Sequence, residues 1–239
     1  MSIKDLCELD AVTLRRMIGR KEVSPVELTE ACIARIEAVD ATVNAMVTRS
    51  FERARAEAAK AEAAVMAGEP LGLLHGLPVS IKDLSDTGGI RTTYGSELFA
   101  DHVPENDERV VASVRKAGAI VLGKTNTPEF GTGANTRNSV FGATRNPFDP
   151  ARTSGGSSGG SAVALACGMV PLATGSDHGG SLRTPAAYCG VTGYRPSPGL
   201  VPTERRGIAW TPSPVEGPMG RTVADAALLM AAMAGADPR

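Results

Sequence analysis

Residues 107–122, Asp-Glu-Arg-Val-Val-Ala-Ser-Val-Arg-Lys-Ala-Gly-Ala-Ile-Val-Leu, decide the fold class of this chain. Valines recur at helical spacing among the charged residues, which predicts a helix over residues 107–117 that ends at Gly118. The next residues, 119–122, are all apolar and are typical of a strand that is buried on both faces. A helix followed by a glycine turn and a buried strand is the repeating unit of an α/β layer fold.

The same alternation extends from this unit towards both ends of the chain. Further strands are predicted at residues 43–48, 77–81 and 169–173, and further helices at residues 51–67, 161–166 and 222–234. The stretch Ser24-Pro25-Val26-Glu27 is a capping box with proline at the first helical position, so a helix begins there. Since no repeat or long linker divides the chain, we expect one α/β domain over residues 1–239.

Composition excludes several classes of protein. The 239 residues are 42% hydrophobic and 21% charged, with a net charge of −1, which favours neither nucleic acid nor an anionic membrane as a partner. No apolar run is long enough for a spanning helix, and the N-terminus lacks the apolar core of a secretory signal. The cysteines are scattered, so we expect reduced thiols in a cytoplasmic protein, with no metal site and no disulfide framework. They are Cys7, Cys32, Cys167 and Cys189.

The stretch Gly118-Ala-Ile-Val-Leu-Gly123-Lys124-Thr125 matches the phosphate-loop pattern G-x-x-x-x-G-K-[ST]. A phosphate loop needs flexible residues between its glycines, whereas Ala-Ile-Val-Leu favours a strand. The Thr-Asn-Thr-Pro that begins at Thr125 is also a poor start for a helix that would hold an anion. We interpret the match as accidental, and we expect Lys124→Ala to leave turnover largely intact.

The stretch Gly155-Gly-Ser-Ser-Gly159 matches G-x-S-x-G, the nucleophile elbow of α/β-hydrolases. That mechanism requires an acid and then a histidine later in the chain. Only His178 follows the motif, and it adjoins Asp177, so the two residues cannot easily fill separate triad positions. A histidine-based triad is therefore disfavoured.

A third set of residues supplies catalytic groups without histidine. Lys82 ends an apolar strand, where desolvation lowers the pKa of a lysine and makes it a candidate base. Serines follow on the glycine turn at residues 155–161. Successive amides at Gly179, Gly180 and Ser181, leading into a helix, would form a hollow suited to an oxyanion. A base, a relay hydroxyl, a nucleophile and an oxyanion hole are all available in this set.

Several motifs of the chain occur together in one known family. They lie at residues 76–83, 123–126, 155–161 and 175–183, with further matches at 185–190 and 217–220. On these residues the chain resembles the amidase signature family, from about residue 10 to its end. The resemblance implies an α/β fold with a mixed central sheet covered by helices on both faces. N-terminal helices would occupy residues 1–70 and the signature core residues 71–239.

The resemblance also implies a Ser–cis-Ser–Lys triad that uses no metal or cofactor. Ser181 would be the nucleophile that forms an acyl-enzyme. Ser157 would follow a cis peptide bond and pass protons between Ser181 and Lys82, which would be the neutral base.

Further residues of the same motifs would support this triad. The amides of His178, Gly179, Gly180 and Ser181 would form the oxyanion hole. Ser158 would support the site by hydrogen bonding. Asp177 and Arg183 would hold the nucleophile turn through an ion pair.

The function implied is hydrolysis of a small-molecule carboxylic amide to a carboxylate and ammonia or an amine. Two alternatives remain open: an A-type amidotransferase subunit that supplies ammonia for transamidation, and a non-catalytic truncated form. Family members are much longer, so the C-terminal half of the domain is expected to be missing. The chain is then a fragment, a degenerate short form, or one completed by a second chain or by a homo-oligomer. Direct contact with nucleic acid or a membrane is not expected.

Overall fold

The computed structural model describes residues 3–203, 211 and 213–235. Within these ranges the chain forms a mixed six-stranded sheet with eight α-helices, and a separate two-stranded sheet. The helices are α1 (Ile3–Glu8), α2 (Ala11–Gly19), α3 (Pro25–Val43), α4 (Phe51–Ala67), α5 (Arg109–Lys116), α6 (Gly159–Ala166), α7 (Arg183–Cys189) and α8 (Val223–Met233). The strands are β1 (Met46–Arg49), β2 (Pro78–Lys82), β3 (Ile120–Thr125), β4 (Arg137–Asn138), β5 (Gly142–Ala143), β6 (Leu172–Asp177), β7 (Thr192–Gly193) and β8 (Val215–Gly220).

The large sheet has the strand order β1-β3-β2-β6-β8-β7. Its central strands β3, β2 and β6 are parallel, whereas β1, β8 and β7 pair antiparallel to their neighbours. Because parallel strands end at the same edge, the carboxyl ends of β2 and β6 lie close together. This edge brings Lys82, the last residue of β2, close to the Ser176–Asp177 end of β6.

The N-terminal helices follow their local sequence signals. The Ser24 hydroxyl accepts hydrogen bonds from two amides of α3, and Glu27 closes the predicted capping box. Helix α4 has the predicted bounds because Gly68 ends it in the left-handed conformation, at φ 74°. The strand predicted from residue 43 begins only at Met46, because α3 continues through Val43.

The α5–β3 unit has the predicted order with shifted bounds. Glu108 is extended, at ψ 152°, so α5 begins two residues later than predicted. Strand β3 continues through Gly123 and Lys124 to Thr125, and every one of its residues is buried. Most of the segment that matched the phosphate-loop pattern, Ile120–Thr125, is thus a strand, as its apolar residues predict.

Strands β6 and β8 differ most from the sequence predictions. Strand β6 begins three residues later than predicted and includes the polar residues Ser176 and Asp177. Strand β8 is absent from the predicted strands, because Gly217, Pro218 and Gly220 interrupt any strand pattern. Among the helices described, none is long and apolar enough to cross a membrane.

Candidate active site

Lys82 is a fully buried lysine whose amine contacts three hydroxyl groups. Its Nζ donates hydrogen bonds to Ser157 Oγ at 2.7 Å, to Ser158 Oγ at 2.8 Å and to Ser176 Oγ at 2.9 Å. Its backbone N–H donates to Thr174 Oγ1 at 3.1 Å, which fixes the end of the strand. The structure therefore brings Lys82 together with both serines of the predicted pair, and it adds Ser176.

Burial lowers the pKa of Lys82 to about 7, while the carboxylates of Glu216 and Asp177 act in the opposite direction. A substantial fraction of the side chain is therefore the free amine near neutral pH. A free amine that touches a hydroxyl group is able to accept a proton from it.

The serine turn at residues 155–161 is buried and closely packed. The peptide bond between Gly156 and Ser157 is cis. A Cβ atom on Gly160 would lie 2.3 Å from the backbone nitrogen of Asn126, so a side chain does not fit there. These glycines allow backbone to approach backbone, and the segment does not serve as a flexible tether.

Ser158 is bound on two sides. Its hydroxyl accepts from Lys82, accepts from the Ser176 N–H at 3.2 Å and lies 3.2 Å from the Ser176 carbonyl oxygen. Its backbone N–H donates to the Ser181 carbonyl at 3.2 Å, which ties the serine turn to the turn after β6. These contacts are those of a supporting residue.

Asp177 organises the turn after β6. Its Oδ1 accepts from the Gly180 N–H at 2.7 Å, and its Oδ2 accepts from the Leu182 N–H at 3.1 Å. Arg183 adds a two-pronged ion pair, with Nε 3.0 Å from Oδ2 and Nη2 3.1 Å from Oδ1. The predicted Asp177–Arg183 pair is therefore present.

Gly180 requires a correction to the predicted oxyanion hole. The glycine-rich sequence predicts a free Gly180 amide, but the Asp177 carboxylate accepts its hydrogen bond. Among the described residues, the N–H groups of His178, Gly179 and Ser181 have no acceptor. These three amides are the ones left to bind an oxyanion.

Arg195 is a second arginine at Asp177, and it is not among the predicted site residues. Its Nη1 lies 3.0 Å from Asp177 Oδ1 and also contacts the Asp177 carbonyl oxygen, while its Nη2 donates to the Ser213 carbonyl at 2.8 Å. Burial alone raises the pKa of Asp177, but the hydrogen bonds from Arg183 and the two amides outweigh it. The pKa of this carboxyl therefore lies well below its usual range, and the ion pairs persist throughout the neutral range.

Ser181 lines a cavity of about 940 Å³ together with Ser157 and Ser176. Its hydroxyl makes no hydrogen bond to another described residue, so Ser181 and Ser157 line one cavity without a hydrogen bond between their hydroxyls. His178 and Gly179 also line this space and are exposed to it. The predicted nucleophile is thus accessible.

The cavity wall contains groups that are not among the predicted site residues. Tyr94 and Phe130 line it, and Phe99 packs edge-to-face on both, with centroid distances of 5.0 and 6.1 Å. Glu216 also lines the cavity. Signals for two missed residues existed: Ser176 lies inside a motif already quoted, and Glu216 immediately precedes another.

One family model matches most of the chain. This model, described as Amidase, matches residues 27–239. The A subunit of glutamyl-tRNA(Gln) amidotransferase from Thermosynechococcus vestitus is 46% identical over 228 residues, which are 95% of this chain and 47% of that protein. This chain thus spans about half the length of the curated relatives that it matches.

Two solved structures share the fold closely. A bacterial aryl acylamidase, described as belonging to the amidase signature enzymes family, matches with a TM-score of 0.92 and 39% identity, over 97% of this chain and 48% of its own. The peptide amidase from Stenotrophomonas maltophilia matches with a TM-score of 0.89 and 36% identity, over 97% of this chain and 49% of its own. With the family model matching most of its length, this chain belongs to the amidase family, whose members are the amidase signature enzymes.

Proposed function

We propose that this chain carries the catalytic groups of an enzyme that hydrolyses a small-molecule carboxylic amide through an acyl-enzyme. The observation that carries the proposal is the buried Lys82 amine, 2.7 Å from Ser157 Oγ, beside a cavity that Ser181 also lines. The products are a carboxylate and ammonia or an amine.

In the proposed reaction, Ser181 Oγ attacks the amide carbonyl carbon and forms a C–O bond. The Ser181 proton passes to Ser157 Oγ, and the Ser157 proton passes to Lys82 Nζ. The C–N bond then breaks, and the proton returns through Ser157 to the departing amine. Water hydrolyses the acyl-enzyme by the same route. Contact between the two serines tightens on substrate binding, since catalytic hydrogen bonds are often long in the free enzyme.

The remaining groups stabilise the charge that develops on the carbonyl oxygen. The N–H groups of His178, Gly179 and Ser181 donate to the oxyanion, and each donor contributes about 3 kcal/mol to the transition state. Asp177 holds these amides in place through its bonds to Gly180 and the following residues.

A second candidate function is transamidation. The relative from T. vestitus is named as the A subunit of an amidotransferase, which supports a reaction that passes ammonia to an acyl acceptor. In that case a completing chain supplies further parts of the site, and contact with nucleic acid belongs to the partner. Ammonia released by this chain alone favours hydrolysis, whereas release only in a complex favours transamidation. The free cysteines fit a cytoplasmic location for either activity.

The test is labelling of the chain with a fluorophosphonate probe, followed by peptide mapping. We expect an adduct on Ser181 that Ser181→Ala abolishes. The matched control is Ser197→Ala, which removes an exposed hydroxyl outside the cavity and leaves labelling unchanged. An adduct that persists on another residue in Ser181→Ala, or no adduct on a chain that melts cooperatively, would overturn the assignment.

A further inference from the structure

Glu216 of β8 lies directly opposite Ser176 of β6 in the antiparallel register. Side chains at directly opposite positions project from the same face of a sheet, about 5 Å apart. Ser176 Oγ is one of the three hydroxyls that Lys82 Nζ touches, at 2.9 Å. The pairing therefore brings Glu216 to the residue whose hydroxyl Lys82 touches, and both Glu216 and Ser176 line the proposed catalytic cavity.

One carboxylate oxygen of Glu216 lacks a hydrogen-bond partner. Its Oε2 is buried and accepts no hydrogen bond from a described residue. A buried carboxylate oxygen without a donor is costly unless a positive charge lies close by. Of the positive charges that act on Glu216, that of Lys82 has the largest effect.

The charged groups that face Lys82 are Glu216 on β8 and Asp177 on β6. Asp177 is already committed to other donors, since both of its oxygens accept from arginines and backbone amides. Glu216 is therefore the carboxylate with an oxygen left to respond to charge on Lys82.

The charged groups that face Glu216 are Glu108 at the start of α5, Lys82 on β2 and Lys124 on β3. Lys124 is bound elsewhere, because its Nζ donates to the Ser85 carbonyl and to two threonine hydroxyls. The Glu108 carboxylate repels a charge on Glu216 and strengthens its need for a positive neighbour.

We propose that Glu216 is a positioning residue for Lys82, whose carboxylate stabilises the ammonium formed when Lys82 takes a proton from Ser157. In that step the Ser157 O–H bond breaks and an N–H bond forms on Lys82, so the positive charge appears beside the Ser176 hydroxyl, and Ser176 is paired with Glu216. The inference rests on the proposed function, because it concerns the base of that reaction.

Near neutral pH the two buried groups hold about one proton between them, so a positive charge on Lys82 favours the ionised carboxylate of Glu216. Burial raises the pKa of Glu216 to about 8, Glu108 raises it further, and the two lysines lower it. Burial lowers the pKa of Lys82 to about 7, and Glu216 opposes that shift. A negative carboxylate favours the charged lysine, so its replacement by a neutral amide lowers the pKa of Lys82 further.

The direct test measures the pKa of Lys82 by NMR. The chain contains six lysines, so ¹³C labelling at lysine Cε gives a simple spectrum in which Lys82→Met assigns the signal. We expect Glu216→Gln to lower the pKa of Lys82 by about one unit. Glu105→Gln makes the same charge change at an exposed position outside the cavity and leaves that pKa unchanged. Equal Lys82 pKa values in wild type and Glu216→Gln would overturn the proposal.

A second pair of variants guards against misfolding of Glu216→Gln. Glu216→Asp and Glu216→Asn both shorten the side chain by one methylene and differ from each other in charge alone. The proposal requires the higher Lys82 pKa in the aspartate variant, and equal values contradict it.

The functional readout is the pH dependence of fluorophosphonate labelling at Ser181. Labelling needs the neutral amine, so its rate falls as pH drops through the pKa of Lys82. We expect Glu216→Gln to move this acid limb to lower pH by about one unit and Glu216→Asp to restore it, which a merely structural role would not do. A limb that stays fixed while the Lys82 pKa moves would overturn the positioning role. If the wild-type chain is never labelled, the proposed function is wrong. The NMR titration then still decides whether Glu216 acts on Lys82.

Discussion

The two buried lysines of the central sheet, Lys82 and Lys124, occupy neighbouring strands and have opposite surroundings. The register pairs Lys124 with Ile81, so the two lysines are one position apart and project from opposite faces. Both are fully buried, and burial lowers the pKa of each, to about 7 for Lys82 and about 8 for Lys124.

Their hydrogen-bond partners differ in kind. Lys82 touches three serine hydroxyls, which are able both to accept and to donate a proton. Lys124 donates to the Ser85 carbonyl, Thr87 Oγ1 at 2.8 Å and Thr92 Oγ1 at 3.0 Å. It does not line the cavity that Ser157, Ser176 and Ser181 share.

The carboxylates near Lys124 also differ from those near Lys82. Several surround Lys124 and oppose the effect of burial on its pKa, namely Asp83, Asp86, Glu108 and Asp107. The lesson is that burial alone does not make a lysine a base. A base also needs partners that relay its proton and a cavity where the proton is used.

The largest effect is expected from removing the Lys82 amine. Lys82→Ala should lower the rate of Ser181 labelling by about 10³-fold, because the proton from Ser157 then has no acceptor. Thermal melting checks that the variant still folds cooperatively. Labelling within tenfold of wild type near neutral pH would place Lys82 in the same structural class as Lys124.

Removing the charge of Lys124 should instead destabilise the fold. Lys124→Met approximately keeps the length of the side chain but removes the positive charge near buried Asp83. It should therefore lower the free energy of unfolding by about 3 kcal/mol. Urea unfolding measures this loss, with Lys116→Met on the exposed face of α5 as the control. Labelling per folded molecule should remain near wild type. The turnover expected to survive in Lys124→Ala is thus that of the molecules that still fold. A loss of labelling per folded molecule would contradict the structural role given to Lys124.

The smallest effects come from single hydroxyls at each lysine. Ser176→Ala removes one acceptor of Lys82 and should slow labelling about fivefold, equivalent to one hydrogen bond of about 1 kcal/mol. Thr92→Ala removes one acceptor of Lys124 and should lower stability by about 1 kcal/mol with labelling unchanged. Labelling rate and urea midpoint are measured for both variants in parallel. Equal changes in both variants would contradict the difference in role between Lys82 and Lys124.

Local signals explain which parts of the fold were predictable. Helix α4 has the predicted bounds because a run of strong helix formers ends at Gly68. Strand β8 could not be predicted, because Gly217 is required there by a neighbour distant in sequence. A Cβ on Gly217 would lie 2.5 Å from the Tyr194 carbonyl oxygen, and no local pattern reports that approach.

The candidate site likewise has features that the local sequence predicts and features that depend on distant contacts. Lys82 at the end of an apolar run and the serines on a glycine turn are local features, and the structure brings them into contact. The bond that removes the Gly180 amide from the predicted oxyanion hole depends on where the Asp177 side chain points. Glu216 comes close to Lys82 only through the cross-strand register with Ser176, which no sequence window contains.

The Asp177 carboxylate has a consequence for the motions of the chain. It binds two amides of the turn after β6 and two arginines, one of them from the segment beyond β7. Opening the turn on its own would break all of these bonds at once, so fluctuations of the turn are linked to that later segment. We therefore expect this turn to open more slowly than a loop without such bonds, although loops around functional sites commonly open first.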